Sequence, residues 1–99
     1  MTAYNVVRFK VKSGQENAFV DFHKNAAPLP GMVDGGLINT GDRAYCLVAK
    51  WKDFDSIAAA RPQMIAMLEQ VRGMLEDLGN GLGVTDPVSG KTVAEFKVN

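Results

Sequence analysis

The apolar residues of this chain recur at two periods, every second residue and every 3.6 residues, and the order in which those periods alternate restricts the fold sharply. Ala3 to Lys12 alternates at period two, with Asn5, Val7, Phe9 and Val11 on one face and Tyr4, Val6, Arg8 and Lys10 on the other. Ser13-Gly14-Gln15-Glu16 follows with capping-box spacing, in which the Ser13 hydroxyl accepts from the Glu16 amide and the Glu16 carboxylate reaches back. This predicts a helix to about Ala26, with Ala18, Phe19, Phe22 and Ala26 turned to the core. Pro28 and Pro30 end it, because proline donates no backbone hydrogen bond.

Gly31 to Thr40 reads as a second strand interrupted by Gly35-Gly36, a pair that suggests a bulge or a close backbone approach. Thr40-Gly41-Asp42-Arg43 is a tight turn. Arg43 to Trp51 is the clearest strand, with Tyr45, Leu47, Ala49 and Trp51 on one face and Cys46, Val48 and Lys50 on the other. Asp53 or Asp55 can cap a second helical region. Arg61-Pro62 interrupts it, so a short helix, a kink and a new helix are expected. Met64, Leu68, Val71, Leu75 and Leu78 line the apolar face of that helix, and Gly79 is its expected C-cap. Asp86 to Gly90 reads as a turn, and Lys91 to Val98 as a closing strand.

The predicted order is strand, helix, strand, strand, helix, strand. Right-handed crossovers favour an α+β, ferredoxin-like βαββαβ domain: one four-stranded antiparallel sheet with both helices on one face. The whole chain, 1–99, fits one such domain and buries roughly two-thirds of its unfolded surface. The uncovered sheet face carries Val6, Cys46 and Val48, which a second copy of the chain would cover, so a homodimer is expected.

Composition narrows the function. Eleven basic and eleven acidic residues balance, which leaves no electrostatic footprint for nucleic acid. One His and one Cys argue against a metal site. The lone Cys46 forms no internal disulfide, which fits a reducing, cytoplasmic setting. Neither a secretory signal nor an apolar stretch of membrane-spanning length is present, so no membrane partner is expected.

Two blocks carry a family likeness. Val7-Arg8-Phe9-Lys10-Val11-Lys12-Ser13-Gly14-Gln15-Glu16-Asn17-Ala18-Phe19 joins the first strand to the first helix, and Ala49-Lys50-Trp51-Lys52-Asp53-Phe54-Asp55-Ser56-Ile57 joins a Trp-terminated strand to the second. With these the chain resembles the dimeric α/β barrel superfamily, and within it the antibiotic biosynthesis monooxygenase-like domains. The resemblance implies a pocket between the sheet and its own helices, and either cofactor-free oxidation of polycyclic phenols or haem degradation. The haem-degrading members carry an Asn where Val7 stands and a His on the second helical region, where this chain has none from Asp53 to Leu78. Both departures count against haem, and no cofactor is expected.

The pocket, if open, lies between the sheet and the second helix. Phe9, Phe22, Tyr45, Trp51, Met64 and Leu68 are its candidate walls, with Asn5 and His23 at its polar end. Trp51 would stack on a flat ligand or serve as a large core residue. His23 would be a general base or an idle helix histidine. Arg43 would pair with an acidic group or sit solvated in its turn, and Arg61 would stand at the pocket mouth or on plain surface. No catalytic residue is singled out. Two function classes stay open: a cofactor-independent monooxygenase acting on an aromatic or polyketide-like compound, and a non-catalytic ligand-binding or stress-responsive dimer. A third reading, a structural module with a filled core, is separated from both by whether space exists beside Trp51.

Overall fold

A computed structural model of the chain describes residues 1–96. Its elements run β1 (Ala3–Lys10), α1 (Glu16–Asn25), β2 (Met32–Gly41), β3 (Ala44–Trp51), α2 (Phe54–Val71), a 3₁₀ turn (Arg72–Met74) and β4 (Asp86–Lys91). The sheet is antiparallel throughout in the order β2-β3-β1-β4. This is the expected ferredoxin-like α+β arrangement. Period-two alternation sets the faces: Val6 stands opposite Val48 and Val88, while Phe9 stands opposite Tyr45. Phe19 of α1 packs with Phe9 and Val11, and Ile57 and Ala60 of α2 pack with Ala3, Ala49 and Trp51, so both helices cover the same face.

Five local expectations are corrected. The capping box does not form: Gln15 occupies the N-cap of α1 without a side-chain hydrogen bond, and Glu16 Oε1 is buried without a partner. The turn before α1 closes through the backbone instead, the Gln15 amide donating to the Lys12 carbonyl at 3.0 Å. Pro62 does not break α2, which is one helix from Phe54 to Val71. Pro62 and Ala58, whose carbonyl loses its donor, both lie on the solvent side, where water can replace the missing bond. Asp53 does cap the helix, with Oδ1 accepting from the Ser56 amide at 2.8 Å and from the Ser56 hydroxyl at 2.6 Å.

The helix also ends before Leu78, and Gly79 is not its C-cap. Leu75 leaves the helix and bridges to Val11; the Lys12 amide donates to Met74 and the Glu76 amide to Lys10, both at 2.8 Å. Extended pairing with the end of β1 satisfies more backbone there than another helical turn, and it buries Leu75 against Phe9 and Val11. Gly79, at φ +83°, serves the following tight loop, accepting from the Leu82 amide at 3.0 Å. Last, β4 is Asp86–Lys91, the segment expected to be a turn. Pro87 is tolerated because β4 is an edge strand, where one side of the ladder needs no donor. Thr92 to Phe96 lie beyond it, tied at the near end by the Thr92 amide donating to Thr2 at 2.9 Å. Val98 lies outside the described residues. Ala18, expected in the core, is exposed.

The buried side chains gather at two ends of the covered face. One cluster is Ala3, Ala49, Trp51, Ile57 and Ala60; the other is Phe9, Val11, Phe19, Val71 and Leu75. Between them run the cross-strand rows Asn5–Ala49–Gly35 and Val7–Leu47–Leu37. The first row is one polar side chain, one methyl group and one hydrogen, so it fills little of the space under the helices.

Candidate functional site

That underfilled middle is a cleft with two lobes. The larger, about 510 Å³, lies between β1, β4 and α2. The smaller, about 410 Å³, lies under the connection from α1 to β2. Asn5, His23, Leu47, Met64 and Met67 line both, so the lobes meet at these residues.

Asn5 is the one buried polar residue of the described chain, 6 % exposed. Trp51, fully buried, donates its indole N–H to Asn5 Oδ1 at 2.8 Å. With the amide oxygen occupied, the amide orientation is settled, and Nδ2 is the end left for the cleft. Its nearest partner is the Met64 thioether, 3.9 Å away, a weak acceptor. A ligand carbonyl or hydroxyl oxygen would be a much better one. Trp51 thus lines only the smaller lobe, and its polar atom acts on Asn5.

His23 is held by its own helix. Nδ1 lies 2.9 Å from the Phe19 carbonyl oxygen, which can only accept, so Nδ1 donates there and Nε2 is the ring nitrogen left for the cleft. Its ring packs on Phe19 at 4.6 Å and Phe22 at 5.3 Å between centroids. The structure therefore brings together Asn5, Phe9, Phe22, His23, Met64 and Leu68 at the larger lobe, and Trp51 joins at the smaller. Tyr45 lines neither lobe; it packs against Phe19 at 5.5 Å. Arg43 is also elsewhere, with Nη1 bonded to Glu76 and to the Val11 carbonyl. Hydrogen bonding to Glu76 raises its pKa further.

Several lining residues were not expected. Pro87 and Ser89 belong to the lobe wall because β4 occupies the segment read as a turn, and Thr85 joins them from just before that strand. Gly35 matters through its size: a Cβ there would stand 2.9 Å from the Val48 carbonyl oxygen, so β2 can approach β3 this closely only with glycine. The Gly35-Gly36 pair in the sequence was the signal for that approach. Among the described residues no three His, Cys, Asp or Glu side chains gather as a metal site. No helix of the described residues is long and apolar enough to cross a membrane.

Fold and cleft together define a ferredoxin-like α+β domain with a space of small-molecule size between the sheet and its own helices. Solved structures of antibiotic biosynthesis monooxygenase-like proteins have this fold. SnoaB from Streptomyces nogalater, a cofactor-independent oxygenase solved as a mutant, matches with TM-score 0.68 at 20 % identity over 95 % of each chain. The ActVA-Orf6 monooxygenase of Streptomyces coelicolor, solved with nanaomycin D, matches with TM-score 0.70 at 15 % identity over 98 % of this chain and 92 % of its own. An antibiotic biosynthesis monooxygenase-type protein from Chloroflexus aurantiacus matches with TM-score 0.73 at 12 % identity over the full length of both. No family model and no curated protein matches the sequence.

Proposed function

We propose that the chain is a small-molecule-binding domain that oxidises a flat aromatic compound with dioxygen and no cofactor. The observation that carries this is the Asn5 amide, pinned by Trp51 and turned with its N–H groups toward an apolar cleft. In a phenol-to-quinone reaction the substrate supplies its own electrons. The phenol loses its O–H hydrogen and one ring hydrogen, which leave in water with one oxygen atom. The other oxygen atom becomes the second quinone carbonyl. His23 Nε2 takes the phenolic proton, and Asn5 Nδ2 donates to the oxygen as negative charge grows on it, where a fixed donor stabilises it most. The fold shared with SnoaB and ActVA-Orf6 supports this reading.

1-Naphthol is a suitable probe. Oxygen uptake matched one-to-one by 1,4-naphthoquinone, and lost in Asn5→Leu and His23→Phe, is the expected result. Saturable binding without oxygen uptake would favour the non-catalytic ligand-binding domain instead. No binding would defeat both.

The functional unit is a homodimer formed through the open face of the sheet. Val6, Val48 and Val88 stand side by side across three strands there, with Ile38 and Tyr4 beside them. Val88 is 62 % and Ile38 50 % exposed, a patch a lone domain seldom leaves to water. Arg8, Lys50, Asp34 and Asp86 on the same face can form a charged rim. A standard interface of about 1,600 Å² would cover the patch. Light scattering of the wild type should give twice the chain mass, and Val48→Asp should give a folded monomer or no fold; a monomeric wild type at micromolar concentration refutes the dimer. The free thiol of Cys46 fits a reducing, cytoplasmic setting.

A further inference from the structure

The larger lobe has one charged side chain on its wall, Arg61, and no carboxylate among the described residues lining it. Arg43 is paired with Glu76 and Arg72 with Glu69, but no described carboxylate lies within salt-bridge distance of Arg61. Arg61 lies on the same helix face as Met64, Ile65 and Leu68, at the three- and four-residue spacing that stacks side chains on one stripe. Thr85, just before β4, and Ser89 on β4 add two hydroxyl side chains to the same lining. A mostly apolar wall with two hydroxyl side chains and one uncompensated guanidinium suits an apolar molecule with one negative charge.

We infer that the ligand is an aromatic acid whose anionic group pairs with Arg61. This rests on the cleft being a binding site, and it adds the substrate's charge and where that charge sits. Arg61 is three residues before Met64, whose sulfur faces the Asn5 amide, so the two anchor points are about one helical turn (~5 Å) apart along α2. The acid therefore carries its carboxylate and its carbonyl or hydroxyl oxygen at separate positions on one flat skeleton. Guanidinium matches carboxylate in a planar, two-bond geometry, and the low-dielectric lobe strengthens the pair once the ligand excludes water.

Two fluorescent probes separate this inference from the reading beneath it. N-Phenyl-1-naphthylamine is neutral; 8-anilino-1-naphthalenesulfonate adds one sulfonate to the same rings. Both should bind one per chain. Arg61→Gln should weaken the sulfonate probe about 5–10-fold and leave the neutral probe unchanged, with Arg61→Lys between the two. Added salt should weaken only the sulfonate probe. Arg61 is exposed, so the substitution leaves folding intact. Lys12→Gln, exposed and lining neither lobe, reports probe bound outside the lobe and should change nothing. Equal loss of both probes in Arg61→Gln, or loss of the sulfonate probe in Lys12→Gln, overturns the inference and leaves the cleft standing. If neither probe saturates, the cleft is not a binding site and the inference falls with it.

Discussion

Replacing Trp51 by Phe removes the indole N–H that holds the Asn5 amide, and the consequence can be worked from the structure. Asn5 Oδ1 loses its 2.8 Å hydrogen bond in a position only 6 % exposed, and an orphaned buried acceptor costs about 1–3 kcal/mol. Three fewer ring atoms beside Ala3 and Ala49 cost about 1–2 kcal/mol more in lost burial. The sum is about 3 kcal/mol, or roughly 12–24 °C in melting temperature for a domain of this size. Asn5→Leu, which keeps the branching at Cγ and the number of side-chain heavy atoms, orphans the indole N–H instead and costs about 1 kcal/mol after the gain from burying leucine. In the double variant neither orphan remains, so it should be more stable than the sum of the singles by about 2 kcal/mol. Urea unfolding followed by far-ultraviolet circular dichroism measures the cycle; intrinsic fluorescence is unsuitable because Trp51 is the single tryptophan. Additivity within about 0.5 kcal/mol would refute the claim that Trp51 orients Asn5.

Gly31→Ala should destabilise by about 3 kcal/mol and Gly79→Ala by about 1 kcal/mol, read from urea midpoints. Both have left-handed backbones, at φ +89° and +83°, but a Cβ at Gly31 would stand 2.5 Å from Ser56 Cβ while that at Gly79 meets open space. Equal costs would show that the packing of β2 onto α2 is looser than described. Asp53 has a pKa lowered from 3.8 chiefly by its hydrogen bonds from Ser56, so its capping is fully present above the unfolded value and fades as pH falls through the folded one. The melting-temperature gap between wild type and Asp53→Ala should hold from about pH 7 to 5 and close below about pH 4; a gap that persists unchanged in stronger acid contradicts the charge-assisted cap. Haem titration should give no saturable Soret shift, because α2 carries no histidine and the single histidine of the sequence, His23, stands on α1. A tight one-to-one complex would show that the second-helix histidine is not required.

The element order was legible because each periodic run serves a face that must be buried, and burial dominates the choice between strand and helix. β3 illustrates this: alternating Tyr45, Leu47, Ala49 and Trp51 leave no other conformation that hides all four from water. The misreadings share a cause. Pro62, the Ser13–Glu16 box and Asp86–Gly90 each have a clear local preference, and tertiary setting overrides all three. Pro62 faces solvent, so its lost bond costs little. At Ser13 the Gly14 backbone takes φ +88° and the turn closes through Lys12 and Gln15, which removes the hydroxyl from the helix start. Asp86–Gly90 has poor strand preference, yet β1 offers an unpaired edge, and pairing with it satisfies backbone groups that a free turn would leave to water.

The site was legible only to the depth that alternation reaches. Asn5 on an apolar face is a readable anomaly, since a polar side chain under two helices needs a partner. Which partner it finds depends on register: Asn5 pairs with Ala49 on β3, and that places Trp51, two residues along the same face, within reach of its amide. Periodicity gives the face and not the register, so stacking on a ligand and supporting Asn5 are equal uses for Trp51 at that depth. Register also decides where the space falls. Had Gly35 or Ala49 stood in the row of Phe9 or of Ala3, the two core clusters would have lost packing and the cleft would have been filled. Instead the smallest residues share the row with the one buried amide, so the cleft and its oriented hydrogen-bond donor arise from the same three positions.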